Sequence, residues 1–417
     1  MQRILIGLAG ILLILGLAFL LSRGKRRINL RIVASAFALQ AAIAVFVLYL
    51  PWGQAAMAAA AHGVESLLGY SKVGIEMVFG GLTQVNGIAS FAINILPIII
   101  FFSALVSILY YLGIMQAVVR WGGGALRLLL GVDRVEGLYA AANVLVGQSE
   151  SPLVVRGYLR GLTDAQIFAL MTTGMAGVAG SILAAYAQMG VRIEYLLAAA
   201  FMSAPGGLLM AKIIMPDEKP FPAAEAGEEV QAIAAATPEP EQEERPANII
   251  MAAFNGAQDG VQLAVAVGAM LIVFVALIAL ANGILGGVGG LFGHPDLSFQ
   301  QILGVVFAPV MFMLNVPWSE AGQAGELFGE KLILNEFVAY LHYSEARATL
   351  SPHTQAVVTF ALCGFANISS IAIQMGVLGG LVPEKRPLIA KYGLLAVLAG
   401  SLANLMSAAM AGLLIAP

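Results

Sequence analysis

Long apolar stretches recur along the whole chain, and they restrict its fold more than any other feature of the sequence. An α-helix needs roughly 20 consecutive apolar residues to cross the hydrocarbon core of a bilayer. Only 11% of the 417 residues are charged, far fewer than a soluble protein of this length places on its surface. The sequence therefore predicts an all-α polytopic membrane protein with eight transmembrane helices. The predicted spans are 4–22, 32–50, 88–118, 165–190, 193–211, 260–288, 356–382 and 392–416.

The positions of lysine and arginine predict how the chain is oriented in the membrane. Short loops that carry these residues stay in the cytoplasm. The loop after the first predicted span, the segment after the third and the last loop are all basic. An even number of crossings satisfies all three, so we expect both the N-terminus and the C-terminus outside. The basic residues are Arg23, Lys25, Arg26, Arg27 and Arg31; Arg120, Arg127, Arg134, Arg156 and Arg160; and Lys385, Arg386 and Lys391.

One long polar segment divides the chain. Residues 216–247 are rich in Pro, Glu and Ala and poor in aromatic residues, a composition typical of flexible linkers. We expect this linker to be cytoplasmic and to separate a first repeat, residues 86–215, from a second repeat, residues 248–417. Residues 1–85 are interpreted as an N-terminal scaffold of two spans, followed by a peripheral helix on the outer side within 54–82.

The two halves resemble one another once two glutamates are superimposed. "NVLVGQSESPLVV" contains Glu150, and "KLILNEFVAYL" contains Glu336. Further along each half, "FALMTTGMAGVAGSI" and "TFALCGFANISSI" match, which pairs Gly174 with Gly364 and Ala176 with Ala366. These matches indicate an internal repeat in which a carboxylate precedes a glycine-containing apolar helix.

Each repeat is predicted to hold a long helix, an amphipathic segment, a polar-tipped hairpin and a glycine-broken helix. Asn86-Gly87 opens one long apolar run, and Asn255-Gly256 precedes another. The hairpins, near 139–160 and 316–341, are too short and too interrupted to cross, so we interpret them as re-entrant. An odd number of spans separates the starts of the two repeats, which makes the repeat inverted. Inverted repeats with broken helices are typical of secondary transporters, with the substrate at the repeat interface.

The polar residues at the two hairpin tips and the two helix breaks indicate what such a site binds. They include carboxylates, amides and hydroxyls but no histidine, lysine or arginine, which disfavours an anionic substrate. Carboxylates accept hydrogen bonds from vicinal hydroxyls, and amides read the edge of a heterocycle. The residues predict a neutral polyhydroxylated or heterocyclic solute. They are Asn143, Gln148, Ser149, Glu150, Asn335, Glu336, Asn367, Ser369 and Ser370, with Phe365 among them.

Other functions remain open at this point. Glu150 and Glu336 would be the acid and base of an intramembrane enzyme, although no Ser/His dyad or metal-ligand cluster accompanies them. A passive channel is a further alternative. No basic block is large enough for nucleic acid. The histidines are expected in loops or surface segments, where we assign them no role; they are His62, His294, His342 and His353.

Three motifs, "GQSES", "NEFVAY" and "GFANISSIAIQMG", are very similar to the signatures of the concentrative nucleoside transporters, and the resemblance runs from about residue 86 to the C-terminus. It implies a sodium-coupled symporter of the bacterial cytoplasmic (inner) membrane that imports nucleosides such as uridine. It also implies a homotrimer in which a mobile transport domain moves by an elevator mechanism. No cofactor is implied beyond the coupling cation.

The resemblance also assigns residues to the substrate site. It places Gln148, Ser149 and Glu150 at the nucleobase, together with Ile182 and Phe365. The ribose would be held by Glu336, Asn367 and Ser370.

The resemblance assigns the coupling sodium ion to Asn143, Val146, Gly177 and Val178, largely through backbone carbonyls. Gly177 stands where the family has a hydroxyl residue. Some members of the family use protons, for which Glu150 or Glu336 would serve, so a proton-coupled symporter is the first alternative. An importer of another neutral polar solute in the same fold is the second.

Overall fold

The computed structural model describes residues 2–84, 91–218 and 246–415, and every regular element in these ranges is helical. Asn86-Gly87 and nearly all of the predicted linker lie outside the described residues. The helices of the N-terminal half are α1 (Gln2–Leu21), α2 (Leu30–Leu48), α3 (Pro51–Phe79), α4 (Leu96–Tyr111), α5 (Ile114–Leu130), α6 (Arg134–Val146), α7 (Ser151–Val154), α8 (Asp164–Ala176), α9 (Gly180–Gln188) and α10 (Ile193–Ile214).

The C-terminal half repeats this order of elements. Its helices are α11 (Ile249–Leu291), α12 (Phe299–Met313), α13 (Trp318–Ile333), α14 (Glu336–Ala346), α15 (Pro352–Leu362), α16 (Ser369–Leu381) and α17 (Arg386–Leu414). In each half a long helix is followed by a second helix, a hairpin, a broken helix and a closing helix. The packing repeats too, because α5 lies on α6 as α12 lies on α13, and α8 lies on α17 as α15 lies on α10.

The prediction of an all-helical membrane protein is confirmed, whereas the number of crossings stays a prediction. Within the described residues, seven helical segments are long and apolar enough to cross a membrane. The predicted span 356–382 is formed by α15 and α16, which are separated at 363–368. Helices α12 and α13 are bent by 117° at the break between them.

The helices differ sharply in how deeply they lie within the protein. The apolar windows of α8–α9 and of α10 are each 89% buried, and that of α17 is 83% buried. The windows of Ala92–Tyr111 and of α11 are only 17% and 22% buried, although α4 and α11 pack closely on each other. The molecule thus has a buried core of hairpins and broken helices, and an outlying helix pair, α4–α11. Helices α1 and α2 pack against α10 and α17.

Both ends of the described chain lie on the same side of the molecule. The Arg3 guanidinium donates hydrogen bonds to the carbonyl oxygens of Gly412 (3.3 Å) and Ile415 (3.1 Å), at the end of α17. This contact agrees with an even number of crossings.

The expectation that the histidines lie at the surface is wrong for two of them. His353 is buried, and its Nε2 lies 3.1 Å from the carbonyl oxygen of Asn315. His342 is half-buried, with Nδ1 2.8 Å from a carboxylate oxygen of Glu330 on the facing arm of the second hairpin. Both histidines join segments of the C-terminal half, a contact that sequence periodicity does not reveal.

Candidate functional site

The first hairpin turns at a glycine that no other residue replaces easily. A capping box between Asp133 and Glu136 begins α6, and the helix ends at Gly147, whose φ of 76° is unfavourable for residues with a Cβ. A Cβ on Gly147 would also lie 2.8 Å from the Cβ of Ala179, in the first helix break. The turn therefore lies directly against this break, and it presents Gln148, Ser149 and Glu150 in that order.

The amide of Gln148 joins the first hairpin to the second broken helix. Its Nε2 donates to the hydroxyl of Ser370 (3.0 Å), and its Oε1 accepts from Nε2 of Gln374 (2.9 Å). All three side chains are fully buried. The direction of the Gln148 amide follows from Ser370, whose hydroxyl donates to the Phe365 carbonyl and therefore accepts from Gln148.

The second hairpin presents Glu336 at its turn. The side chain of Asn335 caps α14 by accepting from the backbone N–H of Val338 (2.9 Å), so Glu336 begins the helix. The Glu336 carboxylate accepts from the Tyr186 hydroxyl (2.9 Å) and from Nδ2 of Asn367 (3.1 Å). A buried carboxylate at this depth is thus held by two neutral donors from two other helical segments.

The two helix breaks meet at the centre of the molecule. The backbone N–H of Phe365 donates to the carbonyl oxygen of Gly177 at 3.0 Å. Beyond this contact, Oδ1 of Asn367 accepts from the backbone N–H of Ser370 at 2.9 Å, and the hydroxyl of Ser370 donates to the carbonyl of Phe365. The backbone left unpaired by one break is therefore partly satisfied by the other.

The structure brings most of the predicted substrate residues together, with two exceptions. Gln148, Glu336, Asn367 and Ser370 are linked by the bonds above, whereas Ser149 and Glu150 are exposed at the turn. Glu150 is close enough to Asp259 of α11 and Tyr110 of α4 for electrostatic interaction. The tip of the first hairpin therefore faces the α4–α11 pair. Ile182 is buried on α9 and Phe365 is half-buried at the second break.

The residues assigned to the ion form a buried, oxygen-bearing group beside the first break. Nδ2 of Asn143 donates to the Thr173 carbonyl (2.9 Å), which leaves Oδ1 of Asn143 buried without a hydrogen-bond partner in the part of the chain that the structure describes. Val146, one helical turn beyond Asn143, and Val178, which follows Gly177, are both buried. A Cβ on Gly177 would lie 2.5 Å from Nδ2 of Asn143 and 3.0 Å from the hydroxyl of Ser203. Unpaired amide and carbonyl oxygens suit a hard cation such as Na⁺.

The structure adds site residues that the sequence did not reveal. Tyr186 and Gln374 contact Glu336 and Gln148. Tyr186 lies in an apolar helix, and Gln374 lies within the third signature motif, but the sequence assigned a role to neither. The prediction that the region has no cationic residue is wrong, because Lys331 is fully buried and lies within electrostatic range of Glu336. The ammonium of Lys331 donates to Oδ1 of Asn404 (2.8 Å), so it is engaged within the protein.

Comparison with known proteins agrees with this geometry. Three family profiles match the chain: "Na+ dependent nucleoside transporter N-terminus" over residues 9–82, "Nucleoside recognition" over 92–192, and "Na+ dependent nucleoside transporter C-terminus" over 195–412. The chain belongs to the concentrative nucleoside transporter family. This family consists of transporters, so the enzyme alternative is set aside.

Individual relatives match over nearly their whole length. The chain is 46% identical to the nucleoside permease NupC of Helicobacter pylori, covering 99% of this chain and 98% of that protein. An uncharacterized transporter of Haemophilus influenzae is 47% identical over the same shares. The structure of CNTnw in an inward-facing substrate-bound state superimposes with a TM-score of 0.90 at 46% identity, covering 99% of this chain and 98% of that one. The resemblance inferred from the three motifs is therefore confirmed.

Proposed function

We propose that the protein imports nucleosides together with a cation, and that this cation is sodium. The observation that carries the proposal is the joining of both hairpins to the second helix break, where Gln148 bonds Ser370 and Glu336 bonds Asn367. A nucleoside has a heterocyclic edge and vicinal hydroxyls. The Gln148 amide suits the heterocyclic edge, and the Glu336 carboxylate suits the hydroxyls.

When the substrate binds, its hydrogen bonds to these side chains replace the ones that the side chains now make with one another. Gln148, with Ser149 and Glu150 beside it, meets the nucleobase, and Ile182 and Phe365 supply apolar and aromatic surface. Glu336, Asn367 and Ser370 hold the ribose. The hydrogen bonds that Gln148, Glu336, Asn367 and Ser370 make with one another are thus replaced by bonds to the substrate, so these side chains are not left unpaired.

Sodium is bound at Asn143, Val146, Gly177 and Val178. The buried, unpaired Oδ1 of Asn143 supports this assignment, and backbone carbonyls complete an oxygen-only ligand set. Because Gly177 O also accepts from Phe365 N, an ion at this site is linked to the residue that packs near the base. Proton coupling through Glu150 or Glu336 is the alternative.

Transport proceeds by alternating access in the bacterial inner membrane, with both termini outside. The hairpins and broken helices move as one body past the α4–α11 pair. The difference in burial supports this movement, because the apolar window of α8–α9 is 89% buried and those of the α4–α11 pair are 17% and 22% buried. The long outward face of α11, which exposes Val265, Ile272 and Leu280, is available to lipid and to neighbouring protomers of a homotrimer.

Uptake of radiolabelled uridine by bacterial cells that lack their own nucleoside transporters tests the proposal. Cells that express the wild-type chain should accumulate uridine, and unlabelled nucleosides should compete. Glu336→Gln should abolish uptake because an amide is a weaker acceptor for ribose hydroxyls, whereas Glu345→Gln, an exposed change on the same helix, should leave it unchanged. Normal uptake by Glu336→Gln would overturn the ribose assignment, and absence of uptake by the wild type would overturn the function.

A further inference from the structure

Lys331 is a buried lysine, and its side-chain nitrogen has no acidic partner at ion-pair distance in the part of the chain that the structure describes. The chain has a second deeply buried lysine, Lys212, whose ammonium lies 2.6 Å from a carboxylate oxygen of Glu136 and 2.7 Å from one of Asp217. Within the described residues, no carboxylate lies within 4.0 Å of the Lys331 ammonium, which is bonded to a neutral amide oxygen and lies 5.6 Å from the ring centre of Phe328. Burying a charge in this way is costly, which indicates a role that requires it.

The ammonium of Lys331 orients an amide that spans both helix breaks. Because Oδ1 of Asn404 accepts from Lys331, Nδ2 of Asn404 must face the other way, where it donates to the carbonyl oxygens of Ala176 (2.7 Å) and Cys363 (3.0 Å). Ala176 is the last residue of α8 and Cys363 follows the last residue of α15. Through Asn404, the lysine thus connects the second hairpin to both helix breaks.

Lys331 and Asn143 lie in the same turn of equivalent hairpin helices, although the repeat does not pair them residue for residue. Each lies in the last turn of the first helix of its hairpin, since α6 ends at Val146 and α13 at Ile333. Each also reaches the end of the broken helix that follows: Asn143 bonds the Thr173 carbonyl directly, and Lys331 reaches Cys363 through Asn404. The first repeat leaves an amide oxygen unpaired at this place, whereas the second provides an ammonium group.

We propose that the ammonium of Lys331 is a tethered cation, which performs in the second repeat the task that the bound coupling ion performs in the first. It joins hairpin and broken helix through neutral oxygen, and its charge lies within electrostatic range of Glu336. One mobile cation per protomer is then sufficient, because the second repeat carries its own. This proposal rests on the proposed cation coupling, and it adds that each protomer has one site for a mobile cation.

Equilibrium binding of tritiated uridine to the purified full-length protein tests this, with sodium titrated against choline at constant ionic strength. The wild type should show a Hill coefficient for sodium of about 1. Lys331→Ala frees the amide oxygen of Asn404 and the space beside it, so its Hill coefficient should approach about 2. Lys331→Met fills the space without a charge, so uridine affinity should fall roughly tenfold or more and added sodium should not restore it. Lys391→Met, an exposed change on α17, is the control and should match the wild type.

Two results would overturn the tethered cation. One is wild-type binding and sodium dependence in Lys331→Met; the other is equal weakening in the Ala and Met variants with a Hill coefficient of about 1 in both. If Lys331→Ala is not monodisperse, Lys331→Arg replaces it: binding kept by Arg and lost with Met supports the proposal, and equal loss refutes it. Sodium-independent binding by the wild type would instead refute sodium coupling, and the comparison of Arg with Met would still decide whether a charge is needed.

Discussion

Glu336 shows how a single carboxylate is kept inside this protein. Its two oxygens accept from the Tyr186 hydroxyl and the Asn367 amide, and the Lys331 charge lies within electrostatic range. Charged side chains within membrane proteins are tolerated where such partners exist, and they mark functional sites. The role proposed for the carboxylate therefore extends to these surrounding donors.

Removing the Tyr186 hydroxyl should weaken substrate binding. A hydrogen bond to a charged group contributes about 1.5–3 kcal/mol, so Tyr186→Phe should raise the KM for uridine roughly tenfold or more. Uptake kinetics measure this. Tyr195→Phe, at the half-buried edge of α10 where its hydroxyl bonds Arg192, is the control, and an unchanged KM in Tyr186→Phe would show that the tyrosine does not orient Glu336.

The site residues that could be predicted from the sequence are those whose polarity differs from that of their neighbours in the chain. Glu150 and Glu336 are carboxylates within apolar runs, so they are conspicuous, and the repeat pairs them. Tyr186 and Gln374 belong to helices whose composition does not show which face contacts the site, and only the packing shows which side chains they contact. Lys331 was visible beside Glu336, but a lysine's long stem allows its ammonium to reach either the surface or the interior, and the sequence does not distinguish these.

At the scale of helices, the breaks in α8–α9 and α15–α16 could be predicted from glycines, but their contact could not. The bond from Phe365 to Gly177 joins residues 188 positions apart, and nothing local records it. The same limit applies to the cluster of Lys212, Glu136 and Asp217, which ties the start of the first hairpin to the end of α10.

Gly177 leaves space that the Asn143 amide occupies. A Cβ there would lie 2.5 Å from Nδ2 of Asn143, so Gly177→Ala should displace this amide and raise the sodium half-saturation of uptake roughly tenfold, as overpacking of about 1–3 kcal/mol would. Gly177→Ser adds the same bulk but also a hydroxyl oxygen, so its half-saturation should lie between those of the wild type and the Ala variant. Sodium dependence unaffected by Gly177→Ala would argue that Asn143 does not bind the ion.

The Lys212 cluster should contribute to stability rather than to transport. Lys212→Met leaves the buried carboxylate of Glu136 unpaired, and breaking a buried ion pair costs about 3–5 kcal/mol. The Tm of the purified protein should fall clearly, and the double variant Lys212→Met/Glu136→Gln should recover part of the loss. Equal Tm values for wild type and Lys212→Met would mean that the carboxylates find other partners.

At the scale of the whole molecule, the proposed movement depends on the division between a buried core and the outlying α4–α11 pair. The two bodies meet in a small apolar cluster that includes Ile98 and Phe102 of α4 and Ala184 of α9. Apolar contacts are not directional, so this interface permits sliding. The domain boundaries inferred from the sequence remain a prediction.

Cross-linking across this interface should stop transport. In a chain with Cys363→Ala, cysteines at Ile98 and Ala184 joined by a short thiol reagent should abolish uridine uptake, because the core can no longer move past α4. Cysteines at Ser103 and Gly260 lie within the α4–α11 pair, where a Cβ on Gly260 would be 3.0 Å from that of Ser103. Linking these should leave uptake intact, and uptake by the first cross-linked variant would contradict the elevator movement.

Uridine accumulation in proteoliposomes tests the central claim, cation-coupled nucleoside transport, most directly. Purified protein is reconstituted, and an inward sodium gradient or an inward proton gradient is imposed in separate runs. We predict accumulation above the external concentration with sodium alone, and its loss in Asn143→Ala. Accumulation with protons alone would contradict the sodium site and move the coupling to Glu150 or Glu336, and no accumulation under either gradient would contradict coupled nucleoside transport itself.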